Sequence, residues 1–433
     1  MTHDVYGGRN DFISAYFQYI GETEAPMTFH RWSCITILGA WIGRDYCFHL
    51  GHFNIKPNIY CMLMGTAGSR KSTAIKIAAR LLGKTGYNTI AADRTTKEKF
   101  LLDLSGAPDF VLDSNGKLSG KSSSDSALME EALFGDMADS VHIPEMLIAA
   151  DEFNTFVGNG NIEFLSMLGV LWDHEGTFKN KVKNSKSVEL HNPYVSIIAG
   201  NTPTGFSLAF PAEAIGQGIF SRIILVHGEP TGKRITFPEG PSAADTKQIL
   251  DILHAIKGIT QQAAVITNGA KRLLDAIYRS STPMSDVRFE SYANRRFSHL
   301  LKICLVLSAA AMRSVIEECD VVYANTVLTH TEHGMSKALG EFGKSRHSDV
   351  NHKLISILEN SYEPMPVKEL WKQLHNDLDD IATMKDMLTS LVIADKVLGT
   401  KQGFLIKRKV FEEVEGKYVD FSLLTEEERR YIK

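Results

Sequence analysis

The chain has 433 residues, 44% hydrophobic and 23% charged, with 47 Lys and Arg against 51 Asp and Glu and a formal charge of −4. That leaves room for a large core and one or two smaller domains, and it excludes a generally basic surface, so any nucleic-acid contact must come from a local patch. The longest nearly uncharged apolar run, Ile303 to Met312, is far short of the ~20 residues that a membrane-spanning helix needs. The first residues lack the basic and then apolar blocks of a secretory leader. A soluble cytoplasmic protein with no membrane partner is therefore expected. Five cysteines without a C-x-x-C, at Cys34, Cys47, Cys61, Cys304 and Cys319, read as buried reduced thiols and not as a disulfide or zinc framework.

In chain order, Phe12 to Gly21 and Thr28 to Trp41 read as two helices broken at Gly21 and Pro26. Tyr46 to Leu50 and Phe53 to Ile55 flank Gly51-His52 as short strands. His49 and His52 lack nearby Cys or carboxylate partners and stay hairpin residues. The apolar run Asn58 to Met64 then leads into Gly65-Thr66-Ala67-Gly68-Ser69-Arg70-Lys71-Ser72-Thr73 and a helical pattern from Ala74 to Leu82. Strand, glycine loop, Lys-Ser and helix is the order a phosphate requires: inward N–H groups, a lysine for the outer phosphates, and a hydroxyl for Mg²⁺ at the positive end of a helix. Arg70 stands where the pattern G-x-x-x-x-G-K-[ST] has its last glycine. On the local motif alone, a glycine turn capping an ordinary helix is the competing reading.

Asn88 to Ala92 reads as a second strand, and Thr95 or Thr96 as the cap of a helix from Lys97 to Leu104. Residues 105–126 are rich in small polar residues and read as a mobile excursion. Met146 to Ala150 is a continuous apolar strand ending on Asp151-Glu152, as expected of a buried parallel strand whose C-terminal end faces a ligand crevice. In a nucleotide hydrolase Asp151 would hold the Mg²⁺ shell and Glu152 would orient and activate water. By itself such an ending often means only a strand running into solvent; about 80 residues beyond a phosphate loop it favours the nucleotide reading.

Between Phe178 and Leu190, Lys179, Lys181 and Lys183 share one face of a strand, Asn184-Ser185 offers a turn, and Lys186 follows. This predicts a basic hairpin that either contacts nucleic acid or merely protects a sheet edge, a common use of lysine. Tyr194 to Gly200 is another apolar strand, and it ends at Asn201, able to bond the attacking water or a γ-phosphate from the strand adjacent to the one carrying Asp151-Glu152. In Gly216 to Val226, Arg222 directly precedes the last β-run. It could stabilise transferring charge at a neighbouring subunit's site or be an ordinary surface residue.

This order of phosphate loop, Asp-Glu strand, basic hairpin, Asn strand and Ser-Arg resembles the AAA+ ATPases with a hairpin before sensor 1. It is most similar to phage and prophage replicative helicases of the primase-helicase type, whose loop carries the Arg-Lys-Ser seen at Arg70-Lys71-Ser72. The resemblance covers about residues 26–310. It implies ATP as fuel, a homo-hexamer or similar ring, and bacterial host cytoplasm if the chain is phage-encoded. It also implies Lys71 and Ser72 on phosphates and Mg²⁺, Asp151 and Glu152 as Walker B, Asn201 as sensor 1 and Arg222 as a trans arginine finger. Lys179, Lys181, Lys183 and Lys186 would line a channel for single-stranded DNA, with a primase or other replication protein as candidate partner.

Beyond Pro241 the pattern turns helical: Ala244 to Lys257, Gly269 to Ser281 and Glu290 to Ile316, read as a lid. Arg295-Arg296 either supply a second sensor arginine or are simply solvated. After Tyr323 to Leu339 and a linker at 340–347, helices at Val350–Leu358, Val367–Leu374 and Leu378–Ala394 and a hairpin at Val397–Ile406 suggest a winged helix, a fold that serves DNA and protein partners alike. Thr425-Glu-Glu-Glu428 is a capping-box signature. The expected fold is thus an α/β P-loop AAA+ core with a parallel sheet, a helical lid and a C-terminal winged-helix domain. Its boundaries are an N-terminal segment 1–56, core 57–232, lid 233–340, winged helix 348–408 and tail 409–433. The expected function is an ATP-dependent DNA helicase or translocase. A helicase loader or protein remodeller is the alternative, and a non-motor nucleotide-binding module the third reading.

Overall fold

The computed structural model describes residues 11–106, 111–112, 118–119, 142–181, 187–210, 218–280, 284, 286–340, 350, most of 353–406, and 419, 424 and 425. Most of the 105–126 excursion, the hairpin residues Lys183 and Lys186 with the turn between them, and residues 426–428 of the terminal capping box lie outside the described residues. The chain divides into two compact units, 1–339 with 418–433, and 340–417.

The first unit is α/β. A hairpin of β1 (Phe48–Leu50) and β2 (Phe53–Ile55) precedes β3 (Tyr60–Met64). Two-residue strands β4 (Val111–Leu112) and β5 (Leu118–Ser119) pair with each other, and then come β6 (Glu145–Ala150), the antiparallel pair β7 (Thr177–Asn180) and β8 (Val188–His191), β9 (Tyr194–Asn201) and β10 (Ile223–His227). Four of these form an all-parallel sheet in the order β10–β3–β9–β6. The expected strand at Asn88–Ala92 reduces to a single parallel bridge, Ile90 to Leu147, on the outer edge of β6. β3 and β9 are buried along their whole length, as central parallel strands must be when both faces are covered.

One cover is the helix Met27–Ile42, which is apolar nearly all round and almost entirely buried, the signature of a helix inside the core. It packs on β3 and β9 and against the helices Lys71–Gly83 and Arg296–Ala310. The Tyr194 hydroxyl donates to the Gly39 carbonyl at 2.6 Å and ties it to the sheet. The expected lid is helical but interrupted. Ala243–Ile259, Asn268–Arg279, Glu290–Ala293, Arg296–Ala310 and Glu318–Leu339 are helices, and the short parallel strands β11 (Val265–Ile266) and β12 (Val315–Ile316) pair between them. The single helix expected from Glu290 to Ile316 is thus two helices and a strand. The apolar run from Ile303 ends in the core, and among the described residues no helix is long and apolar enough to cross a membrane.

In the second unit the helices Val367–Leu374 and Ile381–Ile393 and the helical residues near Val350 to Leu358 share a core of Leu354, Leu358, Leu370, Leu374, Met384 and Leu388. A hairpin of β13 (Val397–Thr400) and β14 (Gly403–Ile406) joins it, and Met365 bridges to Phe404.

Candidate functional site

Parallel register aligns the strand ends. Met64 is level with Asn201 and with His227, and Ala150 is level with Ala199. The loop after β3, the acids after β6 and the end of β9 therefore share one edge of the sheet, with β9 between the other two. Asn201 stands between the loop and the acid pair: β9 lies beside β6, as expected, and no local pattern in the chain specifies that β3 flanks it on the other side.

The loop is tightly folded. A Cβ on Gly65 would lie 2.5 Å from the Gly228 carbonyl oxygen and 2.7 Å from Ser69 Oγ, so that position admits only glycine. The Gly65 N–H donates to the Asn201 carbonyl at 3.3 Å, and Ser69 N–H donates to the Thr66 carbonyl at 3.3 Å. Gly68 has φ +83. Thr66, Ala67, Gly68, Arg70 and Thr73 are exposed, Ser69 is buried, and Lys71 and Ser72 are half-buried at the start of the helix Lys71–Gly83. Lys71 Nζ donates to the carbonyls of Gly65 and Thr66 at 2.8 and 2.9 Å and to Ser69 Oγ at 3.2 Å. Burial lowers the pKa of this ammonium, and the nearby charge of Glu152 opposes that shift.

Asp151 pairs with Lys76 at 2.5 Å. Lys76 is one helical turn beyond Ser72 and so shares its face, a neighbour that spacing alone could have supplied. Gly200 allows this edge to close: its Cβ would lie 2.5 Å from the Asp151 carbonyl and 3.4 Å from Lys71 Cβ. Glu152 is exposed and accepts from Thr155 Oγ1 at 3.3 Å. Asn201 is 2% exposed. Its Oδ1 accepts from the Thr202 N–H at 3.0 Å, whereas Nδ2 has no hydrogen-bond partner among the described residues. A buried unsatisfied donor costs about 1–3 kcal/mol, and here it belongs to the last residue of the strand whose neighbours carry the loop and the carboxylates.

Arg222 belongs to the opposite edge. It precedes Ile223, which is level with Tyr60 at the start of β3, so β10 separates it from the loop edge by roughly 16 Å at strand rise. Its side chain is 12% exposed. It donates to the Gly218 carbonyl at 2.6 Å and approaches Asp173 at 3.5 Å, with its guanidinium 5.8 Å from the Trp172 ring centroid. Arg295 reaches the other Asp173 oxygen at 3.2 Å and the same ring at 5.7 Å. Arg296 is instead half-buried against Glu332 at 2.8 Å, Asn325 and Thr329. Neither of the pair is a solvated helix start, and neither contacts the loop. Arg295 belongs with Arg222, and Arg296 ties two helices together. No local sequence pattern signals this cluster, because Trp172, Asp173, Arg222 and Arg295 meet only through the fold.

Lys302 completes it. Its ammonium is fully buried, donates to Asn58 Oδ1 at 2.6 Å and the Lys56 carbonyl at 3.0 Å, and lies 4.3 Å from the Trp172 centroid. Burial pushes its pKa from 10.5 down to about 7. Between those values the unfolded chain binds more protons than the folded one, so this group makes stability rise with pH. The cost of burying the charge is complete below pH 7 and vanishes above the unfolded pKa. Lys302→Met should therefore remove a stability gain of at most about 1.4 kcal/mol per pH unit. Urea midpoints of both proteins at pH 7 and pH 9.5 test it; equal shifts would show that Lys302 does not titrate in this window.

The basic hairpin starts at the Arg222 edge, since β8 leads into the first residues of β9. Lys179 is exposed on β7 but pairs across the ladder with Glu189 at 3.1 Å. Lys181 is exposed, with no ion pair among the described residues. Among the described residues no three His, Cys, Asp or Glu side chains cluster as a metal site. No protein-family model matches the chain, and no curated protein matches it significantly.

Proposed function

We propose that this chain is an ATP-hydrolysing motor of the AAA+ kind, a ring-forming helicase or translocase acting on single-stranded DNA and most similar to phage and prophage replicative helicases. The observation that carries the reading is Asn201, a buried amide with an unpartnered donor on the strand between a lysine-bearing glycine loop and an Asp-Glu pair. A γ-phosphate or its attacking water is the ligand such a donor suits.

In this reading the N–H groups of Gly65 to Thr73 cradle the phosphates, and Lys71 exchanges the carbonyls of Gly65 and Thr66 for phosphate oxygens. Glu152, exposed and turned to solvent, accepts a proton from water. Ser72 and Asp151 would hold Mg²⁺; two protein oxygens with phosphates and waters completing the shell suit that ion, and Asp151 already takes a cation in Lys76. Mg²⁺, when bound, supplies neutralisation of phosphate charge. Arg222, too far along β10 to serve its own loop, acts on the site of a second copy in a homo-hexamer or similar ring. The interrupted helical region is the lid, the second unit is a winged helix, and a primase or other replication protein is a candidate partner.

The hairpin gives the test that separates a DNA motor from a helicase loader or protein remodeller. A lysine on a single-strand phosphate contributes about 0.7 to the slope of log affinity against log salt. Lys181→Ala should lower that slope by this amount, and Lys179→Ala by less, because Glu189 already neutralises Lys179. Changing Lys181 and Lys183 together should also remove DNA stimulation and unwinding while basal ATP hydrolysis survives. An unchanged slope and normal unwinding would make the hairpin an ordinary sheet edge and favour the loader.

A further inference from the structure

Arg70 occupies a position that disfavours it twice. Its backbone is left-handed, φ 62 and ψ 26, a conformation that glycine adopts freely and a side chain resists. It is also the N-cap of the helix Lys71–Gly83 and makes no side-chain cap bond, so a cation sits beside the positive helix end. The guanidinium, 54% exposed, pairs with Glu24. That carboxylate is anchored independently. Its Oε1 accepts from the Ile235 N–H at 2.8 Å, and its main-chain carbonyl accepts from Thr231 Oγ1 at 2.8 Å. The Ile235 bond, ahead of the Arg70 contact, holds the Glu24 carboxyl below the usual range. The segment from Gly228 to Ile235 thus touches the loop twice, at Gly65 through the Gly228 carbonyl and at Arg70 through Glu24.

We propose that Arg70 is a second phosphate-binding cation, parked on Glu24 in the nucleotide-free chain and transferred to a phosphate of the bound nucleoside triphosphate. The proposal rests on the nucleotide reading of the loop, to which the buried unpartnered amide of Asn201, whose main-chain carbonyl accepts from the Gly65 N–H of that loop, points independently. A guanidinium's planar fork matches phosphate oxygens as well as it matches a carboxylate, and a polyphosphate brings more negative charge than Glu24. Glu24 remains held by Ile235 when the arginine leaves. Nucleotide binding therefore frees the Arg70 end of the loop from Glu24 while the Gly228 carbonyl stays against Gly65.

Exchange makes the two partners act with opposite signs. Arg70→Ala should weaken MgATP binding about 10- to 100-fold, the range of a charge-assisted contact. Glu24→Gln should tighten it several-fold, because the competing carboxylate is gone. Arg70→Gly keeps the left-handed backbone without strain, so it should lose affinity as Arg70→Ala does while melting no lower than the wild type. The measurement is equilibrium binding of a fluorescent ATP analogue to the full chain, with Lys71→Ala as control. Wild-type affinity in Arg70→Gly, or weakened binding in Glu24→Gln, would overturn the exchange and leave a structural clasp. Wild type and Lys71→Ala binding alike, or wild type not binding, would instead refute the nucleotide reading, and this proposal with it.

Discussion

Lys71→Ala is expected to abolish nucleotide binding, whereas Glu152→Gln should keep ATP bound and lose hydrolysis by about 10²–10⁴-fold, the range for a missing general base. The two differ because of where they stand. Lys71 already gathers the carbonyls of Gly65 and Thr66 and the hydroxyl of Ser69, so its ammonium is the charge that phosphates would meet. Glu152 is exposed, its carboxylate accepts from Thr155 Oγ1, and among the described residues it hydrogen-bonds no loop atom, although its charge reaches Lys71. Single-turnover hydrolysis beside equilibrium binding separates the outcomes. Wild-type turnover in Glu152→Gln would remove this residue from the chemistry.

Arg222→Ala should cost about 10³–10⁵-fold in turnover, the effect of a transition-state arginine, with nucleotide affinity largely retained. Since β10 holds Arg222 away from its own loop, that effect must pass between copies. Mixing Arg222→Ala with Lys71→Ala protein should restore partial ATPase, because some interfaces then join an intact loop to an intact arginine. Arg295→Ala is the informative companion: with Asp173 freed from one guanidinium, it should perturb turnover less than Arg222→Ala does. Absence of rescue in assemblies shown to be mixed would argue against a trans role, and Arg222 would then be a prop for Trp172 and Gly218.

Much of the core was legible locally. The helix Lys97–Leu104 with its Thr96 cap is as expected, since the capping hydroxyl and the apolar spacing lie within a few residues. β3, β6, β9 and β10 lie where apolar runs end at Gly65, Asp151 and Asn201 or begin after Arg222, because a strand buried on both faces must be apolar throughout. The helix expected from Glu290 to Ile316 failed for the same kind of reason: its apolar residues are buried all round, so periodicity carried no sign of the break at Asn294-Arg295 or of β12.

The sequence by itself determined which residues carry charge, hydroxyl and amide at the strand ends, because those follow from local runs, glycines and caps. Tertiary structure alone decided that β3 lies on the side of β9 away from β6, so that the Asn201 carbonyl accepts from the Gly65 N–H. It also set Arg222 at the far edge with Arg295, paired Arg296 with Glu332 and gave Arg70 its partner in Glu24. Strand pairing and ion pairing join residues tens to hundreds of positions apart, and their energies depend on burial and neighbours that no local window contains.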